Sequence, residues 1–289
     1  MRAIFSVAAP LALLLATAAA LAAQSPPTTS GDLDLDLRTQ ETDSGYLVLL
    51  DNREPVPVTF DLELKLNNLR SARGPRLRAV VPAHTTGQTA TELVVVDRRA
   101  GYGLDIGMTA LLGDLTLEDY DRDHLYELPY AAGSSQHVGQ GYDGAYSHRG
   151  KRALDFNLPL GTAVHAARGG VVVDLEESYR SRCDRPECMA QNNYLVIYHA
   201  DGTMADYAHL APRGVLVERG DSVRAGQLIA RSGQTGYTTG PHLHFAVYRY
   251  RDGGRETVVT RFRTRAHPEG ELLRERRAYR RPAAVKPKR

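Results

Sequence analysis

The sequence predicts an all-β protein, a sandwich of short strands followed by an antiparallel sheet that carries a groove. Three observations support this. The segments LDLDLR, GYLVLLDN, PVTFDLELKL, LRAVVPA and TELVVVDR, all within residues 31–128, alternate apolar and polar residues between clusters of turn-forming residues. A period of two is the pattern of a half-buried strand. Further along, NYLVIYHA and TMADYAHL flank Asp201-Gly202, a signal for a tight hairpin. The stretches GTAVHAARGGVV and GDSVRAGQLIA read as additional short hairpins.

Taken in order, residues 1–23 open with Met1-Arg2, run through IFSVAAPLALLLATAAALAA and reach small residues at Ala20-Leu21-Ala22. This is the pattern of an export signal peptide and places the mature chain in the periplasm or outside the cell. Pro10 and the small-residue end argue against a retained membrane helix, and no cysteine follows to carry a lipid, so no transmembrane span is expected in the mature chain. Residues 31–128 read as an immunoglobulin-like β-sandwich, an accessory domain. It holds His84 and His124 but no convergent ligand set, and either packs against or restrains the following domain or simply spaces it. Residues 129–262 form the domain that carries the chemistry. Residues 263–289 hold ten Lys/Arg against three Glu, a net of +7 in a chain whose total is +2. Such a tail is expected to be disordered apart from a short helix through EGELLRERRAY, and to meet anionic wall polymer or a membrane surface by charge. Export argues against a nucleic-acid partner.

Cys183 and Cys188 are the two cysteines of the chain and lie in the segment SYRSRCDRPECMAQN, residues 178–192. In an exported protein they are expected to form a local disulfide. Zinc ligation by the pair would need two further ligands nearby. The segment itself forms a loop beside the groove, serving substrate selection or stability.

The chemistry concentrates at GPHLHF, residues 240–245, where His242 and His244 stand two apart on a strand and therefore share a face. One imidazole can ligate a cation while the other stands beside it. Upstream, His148 precedes Asp155 with six residues between them, and Asp155 sits beside Phe156 and Leu158. A carboxylate in apolar company needs a partner, and a divalent cation would hold it ionised. His148, Asp155 and His244 together supply two imidazoles and one carboxylate, leaving the fourth position of a zinc ion open. For the hairpin, a two-residue turn at Asp201-Gly202 pairs Ala200 with Thr203. Tyr194 then faces His209 on one side of the sheet, and His199 falls on the other as a structural or solvated residue.

These segments also occur together and in order. His148-Arg149-Gly150 followed by Asp155-Phe156, GTAVHAARGGVV, YAHL at 207–210, VERGDSVRAGQLIARSGQTG and GPHLHF resemble the lysostaphin-like (LytM-type) zinc metallopeptidases over roughly residues 130–250. The spacing from His148 to Asp155 is longer than in the family's shortest form. The resemblance implies an antiparallel β-sheet metallopeptidase domain with a zinc groove, acting as an endopeptidase on the peptide stems and cross-links of peptidoglycan. It implies His148, Asp155 and His244 as zinc ligands and His209 and His242 as catalytic residues flanking the attacking water and the scissile amide. Zinc lowers the pKa of a bound water to about 7, so the nucleophile is water and not a side chain. One histidine acts as general base and the other stabilises the oxyanion or protonates the leaving amine. No GxSxG elbow is present and neither cysteine has the setting of a nucleophile.

The loop TGYTTGP, residues 235–241, forms one wall of the groove, where Thr235, Thr238 and Thr239 either contact substrate backbone or satisfy their own turn. Two other readings fit the residues less well. A non-catalytic relative that binds the wall or activates a cell-wall amidase would lack some of the five site residues, all of which are here. A lipoyl-type carrier would need a lysine at a hairpin turn, whereas Lys65, Lys151, Lys286 and Lys288 all lie elsewhere.

Overall fold

Apolar–polar alternation dictates strands through most of the chain. The computed structural model of the protein describes residues 5–8, 33–251 and 254–283. It is all β, and the 3-10 turn Pro186–Ala190 is the single helical element among the described residues. The chain divides into two units, Met1–Thr116 and Leu117–Arg289.

In the first unit, Leu35–Thr42, Gly45–Asn52, Thr85–Val95 and Leu69–Ser71 form one antiparallel sheet in that order. Phe5–Ala8, Gly103–Leu112, Val58–Asn67 and Arg76–Val81 form a second. Val48, Leu50 and Leu93 of the first sheet and Phe60, Leu62, Ile106 and Met108 of the second join one hydrophobic core. The apolar half of each alternating segment thus supplies the interior. The export-signal stretch lies outside the described residues except for Phe5–Ala8, whose backbone pairs with Asp105–Met108. Among the described residues, no helix is long and apolar enough to cross a membrane.

The second unit is built on a sheet in the order Ser222–Val223, Gly170–Glu176, Tyr194–Tyr198, Met204–Ala208, Leu243–Arg251, Ala153–Phe156, Ser135–Gln140 and Ala278–Arg280. Gly254–Val258 adds to it beside Leu243–Arg251. One face carries Leu154, Phe156, Leu195, Ile197, Tyr207, Phe245 and Val247 into the core. The register pairs Asp155 and Ala208 with His244, so these three side chains share a row on the opposite face.

Three sequence expectations are corrected here. The second unit begins at Leu117 and not near 129, because Tyr126 and Leu128 are buried in its core. The segment from 263 is not a disordered tail, nor does it contain a helix among its described residues. Leu273 and Tyr279 insert into the core, and Ala278–Arg280 extends the main sheet along Ser135–His137. The Arg281 guanidinium donates to the Tyr130 carbonyl at 2.7 Å, and the Tyr130 hydroxyl donates to the Tyr279 carbonyl at 2.7 Å. Two widely spaced apolar residues and an edge pairing fix a segment whose average composition is that of a solvated chain. Residues 284–289 lie outside the described residues.

The third correction is the hairpin register. Tyr194 pairs with Ala208 and Tyr198 with Met204, one residue out of step with a two-residue turn. The turn is longer because the Asp201 carboxylate accepts from the Thr203 amide and hydroxyl, and Gly202 takes φ 81°. Regular alternation from Ala208 would then send His209 toward the core face. His209 instead adopts φ 62°, a left-handed conformation that a non-glycine residue adopts at some strain, and this turns its ring to the other side.

Candidate metal and catalytic site

His148, Asp155 and His244 come together as the sequence predicts. Asp155 and His244 face each other across paired strands. His148 reaches them from the loop after Gln140 and is fully buried. Its Nδ1–H donates to the Gly141 carbonyl at 3.0 Å, so Nε2 is the nitrogen that faces the other two. The His148 Nε2 lies 3.2 Å from His244 Nδ1 and 3.3 Å from Asp155 Oδ1, and His244 Nδ1 lies 3.0 Å from that same oxygen.

A tetrahedral zinc ion with bonds of about 2.0 Å holds its ligands about 3.3 Å apart. Three donor atoms at 3.0–3.3 Å therefore already have nearly the spacing of one face of such a site. Burial opposes ionisation of Asp155, but hydrogen bonds from His148 and His244 and the neighbouring imidazoles outweigh it and hold the carboxyl well below the usual range. Burial also pushes His148 down, and the Asp155 hydrogen bond and charge reverse this to raise it. A cation placed among the three groups would take the place of the shared protons.

Gln140 is a supporting residue that sequence reading missed. Its amide Nε2 donates to Asp155 Oδ2 at 3.0 Å and to Ser147 at 2.8 Å, and its Oε1 accepts from the Tyr146 and Ser147 amides. It thereby orients the carboxylate and fixes the loop that carries His148. A bulge between Val138 and Gln140 brings it opposite Asp155, which strand alternation alone does not reveal. Losing such an orienting partner typically weakens metal affinity by about 10–100-fold. That loss is the expected result for Gln140→Leu, measured by competition with a chromophoric chelator, with unchanged affinity as the contrary result.

The histidines His209 and His242 stand beside this cluster, with ring centroids 4.5 Å apart. The Nδ1–H of His209 donates to the Thr235 carbonyl at 2.8 Å, and that of His242 to the Gly240 carbonyl at 2.9 Å. Both therefore present Nε2 as a proton acceptor. The Nε2 of His242 lies 3.7 Å from Asp155 Oδ1. Burial, with the His242 and His244 rings adjacent, pushes His209 down to about 4 and keeps it neutral at physiological pH. The two rings border a groove of about 440 Å³ whose walls include Tyr146, Tyr237, Thr238, Thr239 and Glu275. Tyr146 and Tyr237 stack at 6.1 Å and 18°.

The three threonines separate. Thr239 is exposed and lines the groove; Thr238 lines it too, but its hydroxyl donates to the Gly240 carbonyl at 2.7 Å and lies 3.2 Å from His242 Nδ1. Thr235 is not available to a substrate. It is 2% exposed, and its hydroxyl accepts from the Asn193 amide and donates to the Leu210 carbonyl. Cys183 and Cys188 form the expected disulfide.

His199 is a structural residue, fully buried, donating from Nδ1 to the Gly169 carbonyl at 2.9 Å. Burial pushes it down to about 4. The unfolded chain takes up this proton near pH 6.5, so the contribution of neutral His199 to stability is complete above pH 6.5 and is lost as pH falls toward 4. At 1.36 kcal/mol per unit this amounts to about 3 kcal/mol. The denaturation midpoints of wild type and His199→Gln should converge between pH 7 and pH 4.5; parallel midpoints would contradict the assignment.

The model of Peptidase family M23 matches residues 149–257, a span that includes Asp155, His209, His242 and His244 and starts one residue after His148. Peptidoglycan DD-endopeptidase ShyA of Vibrio cholerae is 40% identical over 96 residues, which cover 32% of this chain and 18% of that protein. Lysostaphin of Staphylococcus simulans is 38% identical over 93 residues, covering 32% of this chain and 17% of lysostaphin. The chain thus spans about a fifth of the length of these relatives. The solved catalytic domain of lysostaphin aligns with 43% of this chain and 87% of that domain at 28% identity, with a TM-score of 0.32. Residues 149–257 of this chain form a peptidase family M23 domain.

Proposed function

We propose that this chain is an exported, zinc-dependent endopeptidase that hydrolyses peptide cross-links of peptidoglycan. The observation that carries this reading is the convergence of three donor atoms at 3.0–3.3 Å beside two histidines whose Nδ1 atoms are tied to backbone carbonyls. His148, Asp155 and His244 would hold the zinc, which when bound supplies Lewis acidity to a water and to the scissile carbonyl.

The chain's own residues do the rest. His209 and His242 both offer a lone pair at Nε2, so either can take the proton of the attacking water. The ring that takes it becomes an N–H donor and returns the proton to the departing amine, so one site serves as base and then as acid. Charge formed on the imidazolium is spread by Nδ1–H donation to the Thr235 or Gly240 carbonyl. Asp155, well below the usual carboxylate range, stays anionic through the cycle. The groove that Tyr146 and Tyr237 help to line would admit the peptide stem.

The reading is supported by the family match and by relatives named as peptidoglycan endopeptidases. Its test is a digest of purified peptidoglycan by the full chain. Cross-linked dimers should fall and new amines appear, a chelator should stop this, and zinc should restore it. Dimers that persist at full zinc loading would overturn the reading in favour of a wall-binding or amidase-activating protein.

A further inference from the structure

We propose that the disulfide-closed segment 181–193 is a strap that positions both His209 and His242, through the wall loop 235–240. The proposal rests on the catalytic reading of those two histidines given above. Each histidine depends on that loop for the orientation of its ring. The Nδ1 of His209 is held by the Thr235 carbonyl at 2.8 Å, and the Nδ1 of His242 by the Gly240 carbonyl at 2.9 Å and the Thr238 hydroxyl at 3.2 Å. A loop with this duty has to be fixed from outside, because Gly236–Tyr237 is the only strand it contains and that strand is two residues long.

The strap supplies the fixing. Arg182–Cys183 pairs in parallel with Gly236–Tyr237. The Gly236 amide donates to the Ser181 carbonyl at 3.1 Å, and the Thr238 amide to the Cys183 carbonyl at 3.0 Å. The Arg182 guanidinium donates to the Thr239 carbonyl at 2.8 Å. At its far end, the Asn192 side chain accepts from the His209 amide at 2.9 Å, and the Asn193 amide donates to the Thr235 hydroxyl at 3.0 Å. Gly236 has φ 78°, and a Cβ there would stand 2.8 Å from the Asn192 Cβ, so the approach of loop to strap requires glycine. One end of the strap thus holds the loop and the other holds both the loop and the backbone of His209. The Cys183–Cys188 bond and the 3-10 turn Pro186–Ala190 close the chain between those ends.

None of these contacts involves His148, Asp155 or His244. Opening the strap should therefore free the two histidines and leave the metal cluster in place, a split that a general loss of stability does not produce. The experiment uses the zinc-loaded full chain, Cys183→Ala/Cys188→Ala and Arg182→Ala. Zinc content, amide exchange of residues 235–241 and kinetics on a cross-linked muropeptide are measured on each. The expected result for the double variant is one zinc per chain, exchange at 235–241 at least tenfold faster, and kcat at least tenfold lower with KM within threefold. Arg182→Ala, which keeps the disulfide, should shift the same quantities in the same direction by a smaller factor, and it decides the question if the double variant does not fold.

Unchanged exchange at 235–241, or zinc lost together with activity, would overturn the proposal. An inactive wild type would instead count against the endopeptidase reading. Exchange at 235–241 would still decide whether the strap holds the loop.

Discussion

His242→Ala is expected to retain its zinc and to lose about 10²–10⁴-fold in turnover, the range for a positioned acid–base group, whereas His244→Ala loses zinc and activity together. Two residues apart, His242 just before the strand Leu243–Arg251 and His244 within it, these histidines separate by what their nitrogens face. The Nδ1 of His244 lies 3.0 Å from Asp155 Oδ1 and 3.2 Å from His148 Nε2, inside the donor cluster. The Nδ1 of His242 is committed to Gly240, and its Nε2 lies 3.7 Å from Asp155 Oδ1, at the edge of that cluster. Removing His244 leaves two donors, too few for a zinc site built on three protein ligands. Removing His242 leaves the donors intact and deletes a proton carrier. His209→Ala should resemble His242→Ala, since its ring neighbours that of His242 and is oriented in the same way. Zinc content by elemental analysis and kcat on a muropeptide read the two effects separately. Loss of zinc from His242→Ala would contradict the division of roles.

Phe245→Ala is expected to cost about 3–5 kcal/mol, the range for truncating a buried aromatic. Phe245 is 1% exposed and follows His244 on the same strand, so its ring lies on the core face beneath the site. It meets Tyr207 at 5.2 Å and Phe262 at 5.8 Å, and Phe262 in turn meets Phe156 at 6.2 Å. This cluster joins the strands that carry Asp155, His209 and His244. At 2–4 °C per kcal/mol for a unit of this size, the melting temperature should fall by about 10 °C. Phe245→Leu keeps most of the volume and should lose far less. A drop of under 2 °C for Phe245→Ala would show that the cluster does not hold the sheet together.

The grouping of His148, Asp155 and His244 was legible because their spacing carries their geometry. His244 lies on the strand Leu243–Arg251 and His242 immediately precedes it, which keeps the two close, and Asp155 is followed by the buried Phe156. The register of the hairpin was not legible, since it turned on the Asp201 cap and on Gly202, which lengthen the turn by one residue. His209 nonetheless lies beside His242 and His244, for a reason alternation does not contain: its positive φ turns the ring against the strand's period. Of the two readings open for Thr235, substrate contact or a turn residue, the structure leaves only the second, since its hydroxyl is spent on Asn193 and Leu210. Gln140 escaped notice because a bulge, invisible to period-two reading, aims it at Asp155. The C-terminal segment misled through its composition. Leu273 and Tyr279 are too sparse among arginines to register as a core pattern, but each finds a place in the interior.

On this reading His148, Asp155 and His244 hold the ion while His209 and His242 stand free of it. The most direct test is anomalous diffraction at the zinc edge from crystals of the zinc-loaded chain. The account predicts a single strong peak about 2.0–2.2 Å from His148 Nε2, Asp155 Oδ1 and His244 Nδ1. A peak bonded to His209 or His242, or no peak at the cluster in a chain that binds zinc stoichiometrically, would contradict it.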